Sequence, residues 1–506
     1  MTLPGTNLLA PEGPRSAGVL LHPTSLPGPH GIGDFGQQAR LFVDWLAAAG
    51  CQWWQVLPLV PTGGGDSPYA SGASLAGNRW MVNLQELVAA DLLRPDEIVP
   101  PPFSKDRVDF PAVIGWKRDI LHRAADRLLP DRHHRWYEPL EQFGAEKPWA
   151  RDAALFQVLR EQRNYRPWWT WEPQFRDRDP AALAQVREAQ RAEVDRYIVL
   201  QFWFDKQWQA LRHYAAGKGV RIMGDVPIYV DADSADTWCN RGLFQLDKYG
   251  KPLAVAGVPP DYFSELGQLW GNPLYDWKAM ERDGYRWWVR RMQRALELYD
   301  SIRIDHFRGF AACWSVPADA VDARGGTWVP GPGLKLFAAL KKQLGTLPLV
   351  AEDLGEIDQA VHDLRDKVGL AGMLILQFAF GGDDSPFLPH RHQRHRVVYT
   401  GTHDNDTTRG WWQQAGPDVQ ARAAAYLGKP MLTDVAWELV RVAMASVADL
   451  AIVPMQDILD LGSEARLNVP GKPEKNWTWR MRERDLDPAN AQRLRALLGL
   501  YGRLAA

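Results

Sequence analysis

At 506 residues, with 46% hydrophobic and 24% charged positions, the chain is long enough for an α/β barrel with insertions and unlike disordered or fibrous proteins. A formal net charge of −2 offers polyanions no long-range attraction, so nucleic acid is not an expected partner. The opening MTLPGTNLLAPEGPRS lacks a basic leader and an apolar core, no stretch approaches the roughly 20 apolar residues of a membrane span, and Cys51, Cys239 and Cys313 form neither a disulfide framework nor a zinc pattern. These features predict a cytoplasmic protein with no membrane partner, metal or organic cofactor.

Apolar runs flanked by turn residues recur along the chain. GVLLHP (18–23) comes first, then FGQQARLFVDWLAAAG with apolar residues at helical spacing, then WWQVLPL (53–59). Residues 81–200 read as a mainly helical insertion subdomain, ending in DRYIVLQFWFDKQWQALRHYAAG. GVRIMGDVPIYV (219–230) resumes the strand pattern, and a Gly/Pro-rich, aromatic stretch at about 255–276 is too long for an ordinary connector and predicts a functional loop. YDSIRIDHF (299–307), PLVAEDLG (348–355), GMLILQFAF (372–380), VVYTGTHD (397–404) and LAIVPMQDIL (450–459) follow, with LKLFAALKKQLG and DQAVHDLRDKVG as helices between them. Eight strands alternating with helices predict a TIM (β/α)8 barrel with large, mainly helical insertions. Residues 1–80 supply its first part and 201–506 the remainder.

Such barrels carry their active sites at the C-terminal ends of the strands. Asp225 follows VRIMG, Asp305 follows SIRI, Glu352 follows PLVA and Asp404 follows VVYTGTH, which places four carboxylates around one mouth. A lone Asp after a strand more often caps the next helix, but four together point to chemistry. Glycosidic cleavage needs one carboxyl to protonate the leaving oxygen and another to attack or stabilise the sugar carbon. Arg303 and Asp305 lie two apart on one strand and so share a face, where the guanidinium favours the ionised carboxylate of a nucleophile. Glu352 has no basic neighbour in sequence and fits a protonated general acid, while Asp353 should face away. Tryptophan, at 24 of 506 residues, is in excess, and an indole face complements the C–H face of a pyranose, although about half of these residues are expected to fill the core.

IRIDHFRG, VAEDLG and YTGTHDNDT resemble conserved blocks of the α-amylase clan. GDVPIYV, GVPPDYFSELGQLWGNPLY and LGSEARLNVPG resemble the amylomaltase (disproportionating enzyme) family of 4-α-glucanotransferases in particular, over about residues 17–480. The resemblance implies Asp305 as nucleophile, Glu352 as general acid/base and Asp404 as a third carboxylate that holds sugar hydroxyls. It adds Arg303, Asp225 and His403 to the same subsite, Tyr69 to the glucan path, and Asp261, Ser264, Gln268, Trp270 and Asn272 to an acceptor loop. Expected partners are α-1,4-glucans, maltooligosaccharides and glucose. Where the clan's amylases usually carry Asn-His after the third-strand Asp, this chain has Pro227, Ile228 and Tyr229, which favours transfer. An α-glucan hydrolase with the same first step and an inactive glucan-binding protein remain the alternatives.

Three other signals suggest little. Gly31-Ile32-Gly33-Asp34-Phe35-Gly36 fits GxGxxG but follows a Pro-rich loop, and reads as a loop in which Asp34 caps the next helix. HRHQRHR (390–396) interleaves His with Arg, which would repel a cation, and reads as a solvated basic loop. The Trp168–Trp171 cluster reads as the packing face of the insertion rather than as a remote glucan surface.

Overall fold

A computed structural model describes residues 14–260, 265–429, 433–472 and 474–505. Eight parallel strands form the central sheet: β1 (Ser16–Leu20), β2 (Trp53–Gln55), β3 (Arg221–Pro227), β6 (Ser301–Asp305), β9 (Leu349–Ala351), β10 (Gly372–Ile375), β11 (Arg396–Tyr399) and β12 (Leu450–Pro454). They pair in that order, and β12 returns to β1 with Ser16 opposite Leu450. A parallel bridge between Val350 and Ala371, with the Ala351 N–H donating to the Ala371 carbonyl at 2.8 Å, closes the barrel between β9 and β10. Each of the eight apolar runs read from the sequence overlaps one of these strands, and helices Gln37–Ala48, Leu334–Leu344 and Gln359–Val368 lie where helical spacing placed them.

The strands are apolar because both their faces are covered: side chains fill the barrel inside and helices pack outside. β1 and β12 are buried along their whole length. Gly224 on β3 is required by packing, since a Cβ there would lie 2.1 Å from the Tyr299 ring, which sits flat against the strand beside Asp225.

A second sheet escapes the sequence reading. β4 (Ala254–Val258), β5 (Gln268–Pro273), β7 (Ala312–Pro317) and β8 (Thr327–Pro330) form an antiparallel sheet in the order β5-β4-β7-β8. It is built from the chain following β3 and the chain following β6, so it stands beyond the C-terminal ends of those barrel strands. The stretch at 255–276 is therefore largely a hairpin, with a bulge between Val255 and Gly257. Gly and Pro mask strands, and the Pro273 end of β5 is tolerated because β5 is an edge strand.

The 27-residue helix Arg191–Gly217 serves two cores at once. Val194 and Tyr197 join a satellite cluster with Trp168, Trp171 and Trp238, while Phe204, Trp208 and Leu211 join the barrel core. Trp168 and Trp171 are thus packing residues, and most of the 24 tryptophans are buried. Two sequence readings need correction. Asp34 is not the cap of helix Gln37–Ala48, whose N-cap is Gly36. It instead accepts from the Gly36 N–H at 3.0 Å and the Asn83 amide at 2.9 Å, turning the chain before the helix. The 390–396 loop is not merely solvated, because His392 is buried between the Ser446 hydroxyl (2.7 Å) and the Phe387 carbonyl (2.9 Å), and Arg394 pairs with buried Asp449. No helix among the described residues is long and apolar enough to cross a membrane.

Candidate active site

Strand pairing assembles the first part of the site. β3 and β6 run side by side with Asp225 opposite Arg303 and Pro227 opposite Asp305. The Arg303 guanidinium reaches Asp225 Oδ2 at 2.7 Å and Asp305 Oδ1 at 3.0 Å, so one buried cation ties together carboxylates from two strands. The Tyr69 hydroxyl donates to Asp225 Oδ2 at 2.9 Å. Burial opposes the charge on Arg303, but Asp225 and Asp305 outweigh it and hold the arginine pKa well above its ordinary value. Burial also lifts the Asp225 carboxyl above its usual range, against the pull of Arg303.

Glu352 follows β9 directly. Its Oε2 accepts from the His306 N–H at 2.8 Å and its Oε1 from the Leu354 N–H at 2.9 Å. The first of these bonds accompanies an uncommon backbone: His306 has φ of 52°, a left-handed conformation, just after β6. Burial raises the Glu352 pKa most strongly, Arg303 pulls it down, Asp305 pushes it up and the two N–H donors lower it, with the balance at about 7. A carboxyl that titrates there can hold a proton near neutrality and also release it. Asp353 turns the other way, to Arg365 and the Met373 N–H, as strand alternation requires.

Asp404 sits on the loop after β11. The Asn468 amide donates to its Oδ1 at 2.6 Å, Arg466 donates to its backbone carbonyl at 2.6 Å, and His403 Nε2 lies 3.4 Å from its Oδ2. The His403 ring stacks on Tyr69, with centroids 5.2 Å apart and planes 10° from parallel, and Trp477 closes the cluster at 6.0 Å from His403. Burial lowers the His403 pKa, so this imidazole is neutral at pH 7. The Asp404 side chain keeps 42% of its surface exposed, which leaves it open to a ligand.

The β4–β5 hairpin overhangs this mouth. The Trp270 ring stands edge to face with His306 at 4.7 Å and lies 6.3 Å from Tyr229, yet is 37% exposed. Its indole N–H donates to the Gln268 side-chain oxygen at 3.2 Å. Asn272 is engaged differently: its amide donates to the Val230 carbonyl at 2.9 Å and anchors the hairpin to the loop that follows β3. Asp261 and Ser264 lie outside the described residues. The structure thus brings Tyr69, Asp225, Arg303, Asp305, Glu352, His403 and Asp404 to one end of the barrel, with Gln268 and Trp270 on the hairpin beside it.

Several partners were not singled out from the sequence: His306, Arg466, Asn468 and Trp477. Arg466 and Asn468 lie in the quoted LGSEARLNVPG block, and that block was the available signal. What hid them is that Asp404 and Asn468 are 64 residues apart and meet only in the folded chain.

A family model described as 4-alpha-glucanotransferase matches residues 21–486. The chloroplastic/amyloplastic 4-alpha-glucanotransferase of Arabidopsis thaliana is 48% identical over 501 residues, covering 98% of this chain and 87% of that protein. The 4-alpha-glucanotransferase of Thermus thermophilus is 46% identical over 505 residues, covering 97% and 100%. Among solved structures, an amylomaltase from Streptococcus agalactiae in complex with acarbose superposes with a TM-score of 0.94 at 37% identity, covering 97% of this chain and 100% of that one. With a closed eight-stranded barrel, carboxylates gathered at its mouth and a family match along nearly its whole length, this chain belongs to the 4-alpha-glucanotransferase family.

Proposed function

We propose that this 4-α-glucanotransferase transfers α-1,4-glucan segments by double displacement on its own side chains. Asp305 attacks the anomeric carbon while Glu352 protonates the departing glycosidic oxygen, leaving a glycosyl ester on Asp305. Glu352, now a carboxylate, takes the proton from the 4-hydroxyl of an acceptor glucose or glucan, whose oxygen displaces Asp305 and restores the original anomeric configuration. Arg303 holds Asp305 in place, and Asp225, itself bonded by the Tyr69 hydroxyl, holds Arg303. Asp404, fixed by Asn468 and flanked by neutral His403, accepts hydrogen bonds from sugar hydroxyls. Trp270 covers the acceptor and limits water.

The observation that carries this reading is the contrast between two neighbouring carboxyls: Asp305 contacts a buried guanidinium at 3.0 Å, while Glu352 is lifted by burial to about 7. This contrast supports reading Asp305 as nucleophile and Glu352 as acid. Donors would be starch- and glycogen-type chains and maltooligosaccharides. The three free cysteines fit a reducing compartment such as the cytoplasm.

Asp305→Asn tests the assignment, since the amide keeps the shape but cannot attack. Conversion of maltotriose to glucose and longer chains should fall by more than a thousandfold in a protein that melts like the parent. Activity within tenfold of the parent would overturn it.

A further inference from the structure

Away from the barrel mouth, a cavity of about 500 Å3 opens between the N-terminal end of helix Pro148–Gln162, the short helix Ala235–Cys239, helix Arg286–Leu298 and the loop 73–76. Its size lies within the roughly 300–1,000 Å3 of small-ligand pockets. None of the three proposed catalytic carboxylates lines it.

Its lining carries four basic and four acidic side chains, several of them in ion pairs. Lys147 pairs with Glu297 at 2.8 Å, Arg178 with Asp152 at 2.8 Å, and Arg294 with Glu297 at 3.2 Å. Asp236 accepts from both the N–H and the hydroxyl of Ser74, each at 2.7 Å. Walls paired in this way exert little net field on an ion, yet they offer fixed donors and acceptors to a neutral, hydroxyl-rich ligand. Trp149 adds a partly exposed indole. Arg294 lies 5.0 Å from its ring centre and Phe143 meets it edge to face at 6.1 Å, so the ring is held rigid. A rigid indole among hydrogen-bonding groups suits the apolar face of a pyranose.

We propose that this cavity is a second, non-catalytic binding site for a short α-glucan, its ligand class resting on the glucan-transfer activity. The site is separate from catalysis but not remote from it. Loop 69–76 carries Tyr69 on the Asp225 side and Ser74 on the cavity side, so the cavity's floor and the Tyr69 anchor belong to one short segment.

The test is calorimetric titration of the Asp305→Asn protein with maltotriose, with and without a substitution at Gln293, an exposed residue on the cavity wall. Gln293→Trp, which fills the cavity, should bind one equivalent fewer per chain, while Gln293→Ala, which leaves it open, should keep the full stoichiometry. Equal stoichiometry in all three proteins would overturn the proposal. If Gln293→Trp does not fold, Asp305→Asn crystals soaked in maltotriose decide the matter: sugar density against Trp149 supports the site, and a cavity without it at saturation refutes it. Failure of the nucleophile assignment shows up separately, as turnover of maltotriose during the titration.

Discussion

Glu352 titrating near neutrality has a thermodynamic consequence that can be measured without substrate. Its folded pKa of about 7 is raised above the ordinary 4.5, so its contribution to stability is fully present below pH 4.5 and is lost as pH rises through 7. The difference between 4.5 and about 7 corresponds to about 3 kcal/mol at about 1.36 kcal/mol for each tenfold change in proton affinity, and this is an upper bound because Glu352 retains some solvent exposure. Glu352→Gln removes the titration. It also disturbs the bonds from the His306 and Leu354 N–H groups, because the Gln amide nitrogen cannot accept, at a pH-independent cost on the order of 1 kcal/mol. The stability difference, variant minus parent, should therefore climb by about 2–3 kcal/mol between pH 4.5 and pH 8. For a chain of this length that is about 2–3 °C in Tm, since the unfolding entropy is roughly 1 kcal/mol per degree. Scanning calorimetry of both proteins across this range is the assay. A difference that stays flat with pH would refute the raised pKa, and with it the physical basis for calling Glu352 the acid.

Further predictions concern turnover. In the parent, kcat/KM for maltotriose should decline above about pH 7 as Glu352 loses its proton, and a profile level to pH 9 would contradict this. Asn468→Ala removes the donor to Asp404 and should lower kcat/KM about tenfold to a hundredfold, the range for a hydrogen bond to a charged group, with little change in Tm; unchanged kinetics would remove Asn468 from the site. Trp270→Ala should raise the ratio of new reducing ends to transferred glucosyl units, because water gains access to the glycosyl ester, and a ratio held at the parent value would show that the ring serves only packing. Dialysis against a chelator should leave activity intact, since no group of three or more metal-ligating side chains occurs among the described residues. Loss that zinc or calcium restores would reveal a metal requirement.

The barrel was legible in the chain because its strands are buried on both faces and therefore read as short apolar runs, and a carboxylate after such a run falls at the barrel mouth. The contact of Arg303 with Asp305 was legible too, since residues two apart on a strand share a face. The antiparallel sheet over the mouth was not, because Gly271 and Pro273 in β5 disguise a strand held by cross-chain hydrogen bonds rather than by its own pattern. Nor could local sequence reveal that Arg303 also holds Asp225, 78 residues away, that Asn468 fixes Asp404, or that Arg303 acts on Glu352. Local chemistry and periodicity determined which residues end the strands. Burial and pairing across the barrel, which exist only in the closed tertiary structure, lifted Glu352 and Asp225 above the usual carboxylate range and brought Arg303 to both Asp225 and Asp305.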